Sequence, residues 1–379
     1  MDGAMGTMVQ ELDLDDSAFG GSLFKMLTDL LTFSRPDDLE GIHYKYLEAG
    51  ANIIETNTFG ASPLRLTEFD FPKIDTSDMQ GLPSELDLKQ KDLPAITRHL
   101  NIKACEIAQR AIDRYKASSE YDGRPLFIAG SIGPSNNVIS STRADLQKTT
   151  FDKVVENNFL QVMGLVEGGA DILLFETQQD ILELKASIIG AKKAFVEYGK
   201  TLPIMAQVTV DTFAKMQIFN TDIHAAYVAV EGMGIATFGV NCNVGPVELK
   251  EAVKKLSKIS HHPISIVPNA GQPISEDGKT CYKLTPEDMA ETMEPFVRES
   301  GVSIVGGCCG TRPDHIRAMR EKLNEVVPVS RETLKGVYIS GPQEAVLIDS
   351  SENLVRIGEK INLRGSKKIR DAVENESGI

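Results

Sequence analysis

The sequence contains no Trp, and aromatic residues make up only 6% of its 379 positions. Platforms for single-stranded nucleic acid need aromatic faces in series, so that class is disfavoured. Positive charge is also lacking: 54 acidic against 40 basic residues leave a net −14. Nucleic acid and anionic membrane surfaces both demand a positive field, so neither is expected as the main partner. No apolar run reaches the about 18 residues of a membrane span. The richest window, residues 225–240, carries Glu231 and three glycines. No basic segment followed by an apolar run opens the chain, so a signal peptide is not expected and the cytoplasm is the expected location. The five cysteines are an odd number in a long chain. They read as metal or thiol chemistry in a reducing compartment, not as a disulfide framework.

What is present is rhythm. Seven short runs are almost continuously apolar: residues 51–59, 125–132, 170–177, 202–210, 235–241, 263–268 and 302–306. Continuous apolarity marks strands buried on both faces of a parallel sheet. Helical patterns fill residues 36–49, 100–114, 151–168, 180–198, 222–233, 245–258, 285–300 and 312–326. Thr285-Pro286-Glu287-Asp288 and Thr311-Arg312-Pro313-Asp314 have a cap, an early Pro and first-turn acids. Seven strand–helix units predict an α/β fold, a (β/α)8 TIM barrel whose first strand is largely missing. The end of that strand fits Asp2 to Thr7, and its body is expected upstream of Met1. Residues 68–98 interrupt the rhythm as a polar strand-to-helix insertion, either a lid carrying Phe69 and Phe71 or a variable surface loop. Residues 327–342 read as a linker, and 343–379 as the start of something new, too short for its own core.

Three cysteines stand where barrel chemistry is expected. Cys242 closes one strand in Gly239-Val240-Asn241-Cys242-Asn243, and Cys308-Cys309 close the last in Gly306-Gly307-Cys308-Cys309-Gly310. Adjacent residues in a regular strand point oppositely, so Cys308 and Cys309 can meet one ion only on irregular backbone past the strand end, which the flanking glycines permit. Three thiolates with one open position suit a catalytic zinc; the plainer reading is buried structural thiols. Cys105 reads as core, Cys281 as incidental, and His315 as an exposed first-turn residue. No His falls at a strand end.

The segments MDGAMGT, IIETNTFGA, GSIGPSN, LLFETQQD, GVNCNVGP, PNAGQP and GGCCGT, in this order, resemble the homocysteine S-methyltransferase family. More narrowly, they resemble the N-terminal homocysteine module of cobalamin-dependent methionine synthases. The resemblance covers about residues 1–326. It implies a zinc held by Cys242, Cys308 and Cys309, with Asn269 as the oxygen donor of the substrate-free state. It also implies homocysteine as substrate, Glu176 as the partner of its ammonium group, and Asp2, Gly3 and Ala4 as a substrate-contacting turn. Glu55, Asn57 and Thr58 form a polar strand end with a supporting role in the pocket, and Ser131 and Asn136 are weaker candidates. No side chain beyond these is expected to be catalytic, since the reacting nucleophile is the substrate thiolate itself. The plainer readings are a satisfied strand-end acid for Glu176 and an ordinary turn for residues 2–4.

The family uses methylcobalamin, betaine or S-methylmethionine as donor. Residues 355–362 (VRIGEKIN) with Gly365-Ser366-Lys367-Lys368 resemble the opening strand of a pterin-binding, methyltetrahydrofolate module. That resemblance implies methylcobalamin, carried by a corrinoid-binding domain in cis or in trans, and a chain cut at both ends. The alternatives are a betaine- or S-methylmethionine-dependent enzyme, an inactive zinc- or thiol-binding barrel, and a basic tail unrelated to folate.

Overall fold

A computed structural model describes residues 1–141, 148–276, 279–348 and 367–374. Seven parallel strands form one curled sheet in the order β1 (Ile53–Glu55), β2 (Phe127–Ile132), β3 (Ile172–Gln178), β4 (Ile204–Val208), β5 (Thr237–Asn241), β6 (Ile264–Val267) and β7 (Val302–Val305). The helices of the barrel layer are α1 (Pro36–Glu48), α2 (Leu93–Lys116), α3 (Phe151–Gly168), α4 (Ile181–Tyr198), α5 (Ile223–Val230), α6 (Lys250–Ile259), α7 (Pro286–Arg298) and α8 (Pro313–Leu323), and the short helix Met5–Gln10 replaces the last part of the strand end expected at Asp2 to Thr7. This is the predicted barrel architecture. All seven strands coincide with the apolar runs, because their two faces pack into two different cores. In β3, Leu174 joins Met1, Ala129, Met205 and Val267 inside the barrel, while Leu173 and Phe175 join the layer beneath the helices. Each large apolar side chain so buried contributes about 1.5–3 kcal/mol.

Among the described residues, residues 1–2 occupy the mouth end of the eighth strand position. Met1 N donates to Val305 O at 2.6 Å and Asp2 N to Ile53 O at 2.9 Å, while Gly307 N donates to Asp2 O at 3.0 Å. Residues 1–2 thus bridge β7 and β1. A Cβ on Gly306 would lie 2.7 Å from Met1 Cβ, so only glycine admits this approach. Below the bridge lies a cavity of about 200 Å³ lined by Asn52, Ile53, Ser303, Ile304, Val305 and Met319, among others.

The insertion is not an aromatic lid over the mouth. Phe71 is fully buried, and Phe69 and Phe71 pack on Phe24 with ring centroids 6.0 and 5.8 Å apart. Asp75 N donates to Gly20 O, Gly81 N to Phe33 O, and Arg35 pairs with Asp78, so the insertion seals residues 17–35 against the barrel. Its last residues are helical: the Asp92 carboxylate caps Ala95 N, and α2 starts at Leu93, earlier than the pattern suggested. His315 is also corrected. It is buried, accepting from Arg312 N at Nδ1 and donating from Nε2 to Leu284 O.

Val337–Ser340 and Ala345–Ile348 pair as an antiparallel hairpin that straddles the expected boundary at residue 342. Ser340 Oγ donates to Ala225 O, tying this hairpin to α5. Residues 355–362, which carry the pterin-module resemblance, lie outside the described residues; Lys367–Glu374 is helical. No helix among the described residues is long and apolar enough to cross a membrane.

One buried acid outside the sulfur and acid clusters gives a pH prediction. Glu183, in the first turn of α4, accepts from Ser135 N at 2.7 Å, and burial pushes its carboxyl from 4.5 up to about 7. The folded value is the raised one, so its stabilising effect is complete below pH 4.5 and is lost as pH rises through about 7. Glu183→Gln should flatten that fall and raise stability near pH 8 by about 2–3 kcal/mol. Urea unfolding of both proteins at about pH 5 and pH 8 measures the difference; equal slopes would refute it.

Candidate active site

β5 and β7 deliver the three sulfurs. The last ladder bond of β5 runs from Cys242 N to Val267 O. The chain then turns sharply, with Cys242 and Asn243 at φ of 61° and 66°. Such left-handed backbone costs a non-glycine residue about 1–2 kcal/mol or more, a strain characteristic of functional sites. The irregular backbone expected here is thus carried by Cys242 itself, with no glycine supplying the turn on the β5 side. After β7, Cys308 N donates to Pro268 O, Thr311 Oγ1 donates to Cys308 O, and Gly310 takes φ +79°. Past the strand end, both neighbouring thiols therefore face one point. Cys242 Sγ lies 3.8 Å from Cys309 Sγ, Cys308 Sγ lies 4.0 Å from Cys309 Sγ, and the three sulfurs all lie within 4.8 Å of one another.

Three thiols so close cannot all ionise without a cation. Hydrogen bonds from Cys242 and Cys308 hold Cys309 down at about 3, while the bonds of Cys308 with Cys242 and Cys309, together with burial, push Cys308 up. A divalent cation would stabilise all three as thiolates. Asn269 fits the same group. It is buried, with its Oδ1 lacking any hydrogen-bond partner, although such acceptors are normally satisfied. Its neighbour Ala270 donates to Cys309 O, and its own N–H donates to Val244 O, so the loop is pinned between the two cysteine segments. Sulfur and oxygen donors in this combination suit zinc.

Beside the sulfurs stands a group of acids. Glu176, at the mouth end of β3 on the face of Leu174, is buried. It accepts from Ser131 Oγ and from Asn241 Nδ2, the latter at 3.2 Å. Burial pushes its carboxyl up to about 7. Glu55 is raised by burial and by the charges of Glu176 and Asp2, and it hydrogen-bonds Glu176. Asp2 is also pushed up to about 7 by burial; it accepts from Glu55 N through Oδ2, and its Oδ1 has no partner. Three acids thus share one buried mouth, where a cationic group would offset their charge.

The structure therefore brings Asp2, Glu55, Ser131 and Glu176 to the sulfurs. Gly3 and Ala4 pack beneath them: Ala4 N donates to Thr311 Oγ1, and a Cβ on Gly3 would lie 2.7 Å from that oxygen. Asn57 and Thr58 use their side chains elsewhere. Asn57 Nδ2 donates to Thr28 O, and Thr58 Oγ1 donates to Ser131 O. Asn136 pairs with Glu68 on the surface and is not brought to the site. Asn241 was not singled out by sequence reasoning, yet it links both halves of the site. Its Nδ2 reaches Glu176, Thr177 Oγ1 and Cys308 Sγ, and its Oδ1 accepts from Thr177 N. Its place directly before Cys242 in an inward strand register was the available signal.

A parallel α/β barrel carries at one mouth three convergent thiols, which could hold a metal ion, and a buried acid cluster. Residues 1–323 match the sequence model described as homocysteine S-methyltransferase, and the chain belongs to that family. It is 34% identical over 372 residues to a methionine synthase of Mycobacterium tuberculosis and 35% identical over 379 residues to one of Mycobacterium leprae. Each comparison covers 98% of this chain and 28% of the relative, so the chain spans about 28% of the length of these curated relatives. Among solved structures it is similar to the metallated form of the homocysteine methyltransferase MmuM from Escherichia coli. The TM-score is 0.62 at 21% identity, covering 85% of this chain and 95% of the other. The apo form gives a TM-score of 0.58. At that identity the likeness bears on the fold.

Proposed function

We propose that this chain is the homocysteine-activating part of a methionine-forming methyltransferase. The methyl group would come from methylcobalamin on another domain or protein, recharged from methyltetrahydrofolate. The convergence of three thiols on one point beside the unpartnered Asn269 oxygen and the buried Glu176 supports this reading most strongly. The length of the curated relatives beyond the matched part suits a donor carried on a further module. In the proposed organisation residues 1–326 are the homocysteine barrel, 327–342 a linker, and 343–379 the start of a pterin-binding module.

Cys242, Cys308, Cys309 and, without substrate, Asn269 would hold Zn2+, which supplies the Lewis acidity that keeps a substrate thiol ionised near neutral pH. The chain's own side chains do the rest. Glu176 takes the substrate ammonium group, and Glu55 and Asp2 surround the same pole with negative or proton-sharing oxygens. The turn at Gly3 and Ala4 supplies backbone close to the substrate, while Asn57 and Thr58 hold the strand end from behind. Asn241 keeps Glu176 in register with Cys308, so the amino-acid head and the sulfur are placed by one side chain. Such positioning turns the encounter with a methyl donor into an oriented displacement. The substrate sulfur forms the new S–CH3 bond, and the electron pair of the broken bond remains with the donor.

The zinc-loaded 379-residue chain should convert homocysteine to methionine with free methylcobalamin and give none with betaine or S-methylmethionine alone. Methionine from either small donor would overturn the choice of donor. Homocysteine and zinc binding with no transfer from any of the three would instead point to a non-catalytic thiol-binding barrel.

A further inference from the structure

β3 is irregular where it presents Glu176. Its register with β4 runs Phe175↔Ala206 and then Gln178↔Val208, so three steps on β3 oppose two on β4. The extra residue makes a β-bulge, a device that re-aims side chains beside active sites. Thr177 lies inside the bulge at φ 56°. A β-branched residue in the left-handed region is an outlier, and it persists only where its surroundings over-determine it. Here a single side chain supplies the hold. Asn241 reaches past β4 from β5. It accepts from Thr177 N through Oδ1 at 2.7 Å and donates from Nδ2 to Thr177 Oγ1 at 2.8 Å. The same Nδ2 reaches Glu176 Oε2 at 3.2 Å, while Ser131 Oγ holds the other carboxylate oxygen. In a regular strand Glu176 and Thr177 would point to opposite faces. The bulge turns both toward one buried amide, which is itself fixed by a hydrogen bond of 2.6 Å from Thr209 Oγ1 to Asn241 O.

We infer that Thr177 is a positioning residue whose clamp to Asn241 sets the preference for a thiol bearing an ammonium group, by holding the bulge that aims the Glu176 carboxylate. The inference rests on the proposed pairing of Glu176 with that ammonium group. Two hydrogen bonds to one amide fix both the N–H and the hydroxyl of Thr177, and with them the backbone turn that follows Glu176. Without the hydroxyl bond Glu176 keeps Ser131 as a partner and loses its fixed direction. A misplacement of about 1 Å in such a group costs up to about 10²-fold. The sulfurs follow β5 and β7, so the change leaves them in place.

The test compares two ligands by titration calorimetry on the zinc-loaded 379-residue chain. One is homocysteine; the other is γ-mercaptobutyrate, which is homocysteine without its amino group. The parent should favour homocysteine. Thr177→Val keeps the shape and loses the hydroxyl. It should weaken homocysteine about 10-fold and γ-mercaptobutyrate less than about 2-fold, at parental zinc content. Thr177→Ser restores the hydroxyl and should bring both ligands back to within about 2-fold of the parent. A merely structural role would weaken the two thiols alike. Thr177→Ala removes the same hydroxyl with less crowding at Cβ and carries the comparison if the Val protein does not fold. Parental discrimination between the two thiols in these variants, or an equal loss for both, would overturn the inference and leave the pairing of Glu176 standing. A parent that binds both thiols equally would refute that pairing, and the inference with it.

Discussion

Replacing Cys309 with Ser should reduce bound zinc from about one per chain to a trace and cut methyl transfer by about 10³-fold or more. Cys309 is the sulfur toward which the other two donate, and the one carrying negative charge most readily. A serine hydroxyl stays protonated at neutral pH and cannot take over that charge. Two thiols would remain, one short of the three-sulfur set that could gather a cation. The fold should survive, since the Cys309 side chain is half-buried and its close sulfur contacts are Cys242 and Cys308. Metal analysis after dialysis and a methionine assay read the two effects. Cys281→Ser, outside the cluster, should retain both zinc and activity. A Cys309→Ser protein with parental zinc content would show that the cluster is not the metal site.

Glu176→Gln should raise the homocysteine KM by about 10²–10³-fold while leaving zinc content at the parental level. The amide keeps the shape: its carbonyl oxygen can accept from Asn241 Nδ2 while its NH2 donates to the Ser131 hydroxyl oxygen. What it loses is the charge offered to the substrate ammonium in a buried setting, where removing one partner of an ion pair costs about 3–5 kcal/mol. The split between the two readouts separates this residue from the cysteines. Loss of metal together with loss of affinity would mean that Glu176 supports the sulfur cluster and not the amino-acid head. An unchanged KM would remove it from the substrate site altogether. Homocysteine saturation curves together with metal analysis on one preparation distinguish these outcomes.

The barrel was legible because its strands are apolar on both faces, a pattern that no surface strand or amphipathic helix reproduces. Cys242, Cys308 and Cys309 were legible because each ends a strand on the same rim. What escaped depends on contacts distant in sequence. The insertion looked like a free polar loop, but Phe71 and Gly81 are bound to residues 20–33. His315 looked exposed from its place in a first turn, yet its ring bridges Arg312 N and Leu284 O. Thr177 carried no signal, since alternation along β3 points it away from Glu176 and nothing in that stretch of sequence marks the extra residue. Asn241 was within reach of sequence reasoning, because its strand register points it inward beside Cys242.

Titration calorimetry of homocysteine into zinc-loaded and metal-free chain, with zinc content measured on the same samples, tests the central claim most directly. The claim predicts one homocysteine per zinc-loaded chain, an observed heat that varies with buffer ionisation enthalpy as proton release on binding requires, and binding weakened by at least about 10²-fold without metal. Equal affinity and no proton release in the two forms would contradict it, leaving the three sulfurs as structural thiols at the mouth of a barrel that recognises its ligand some other way.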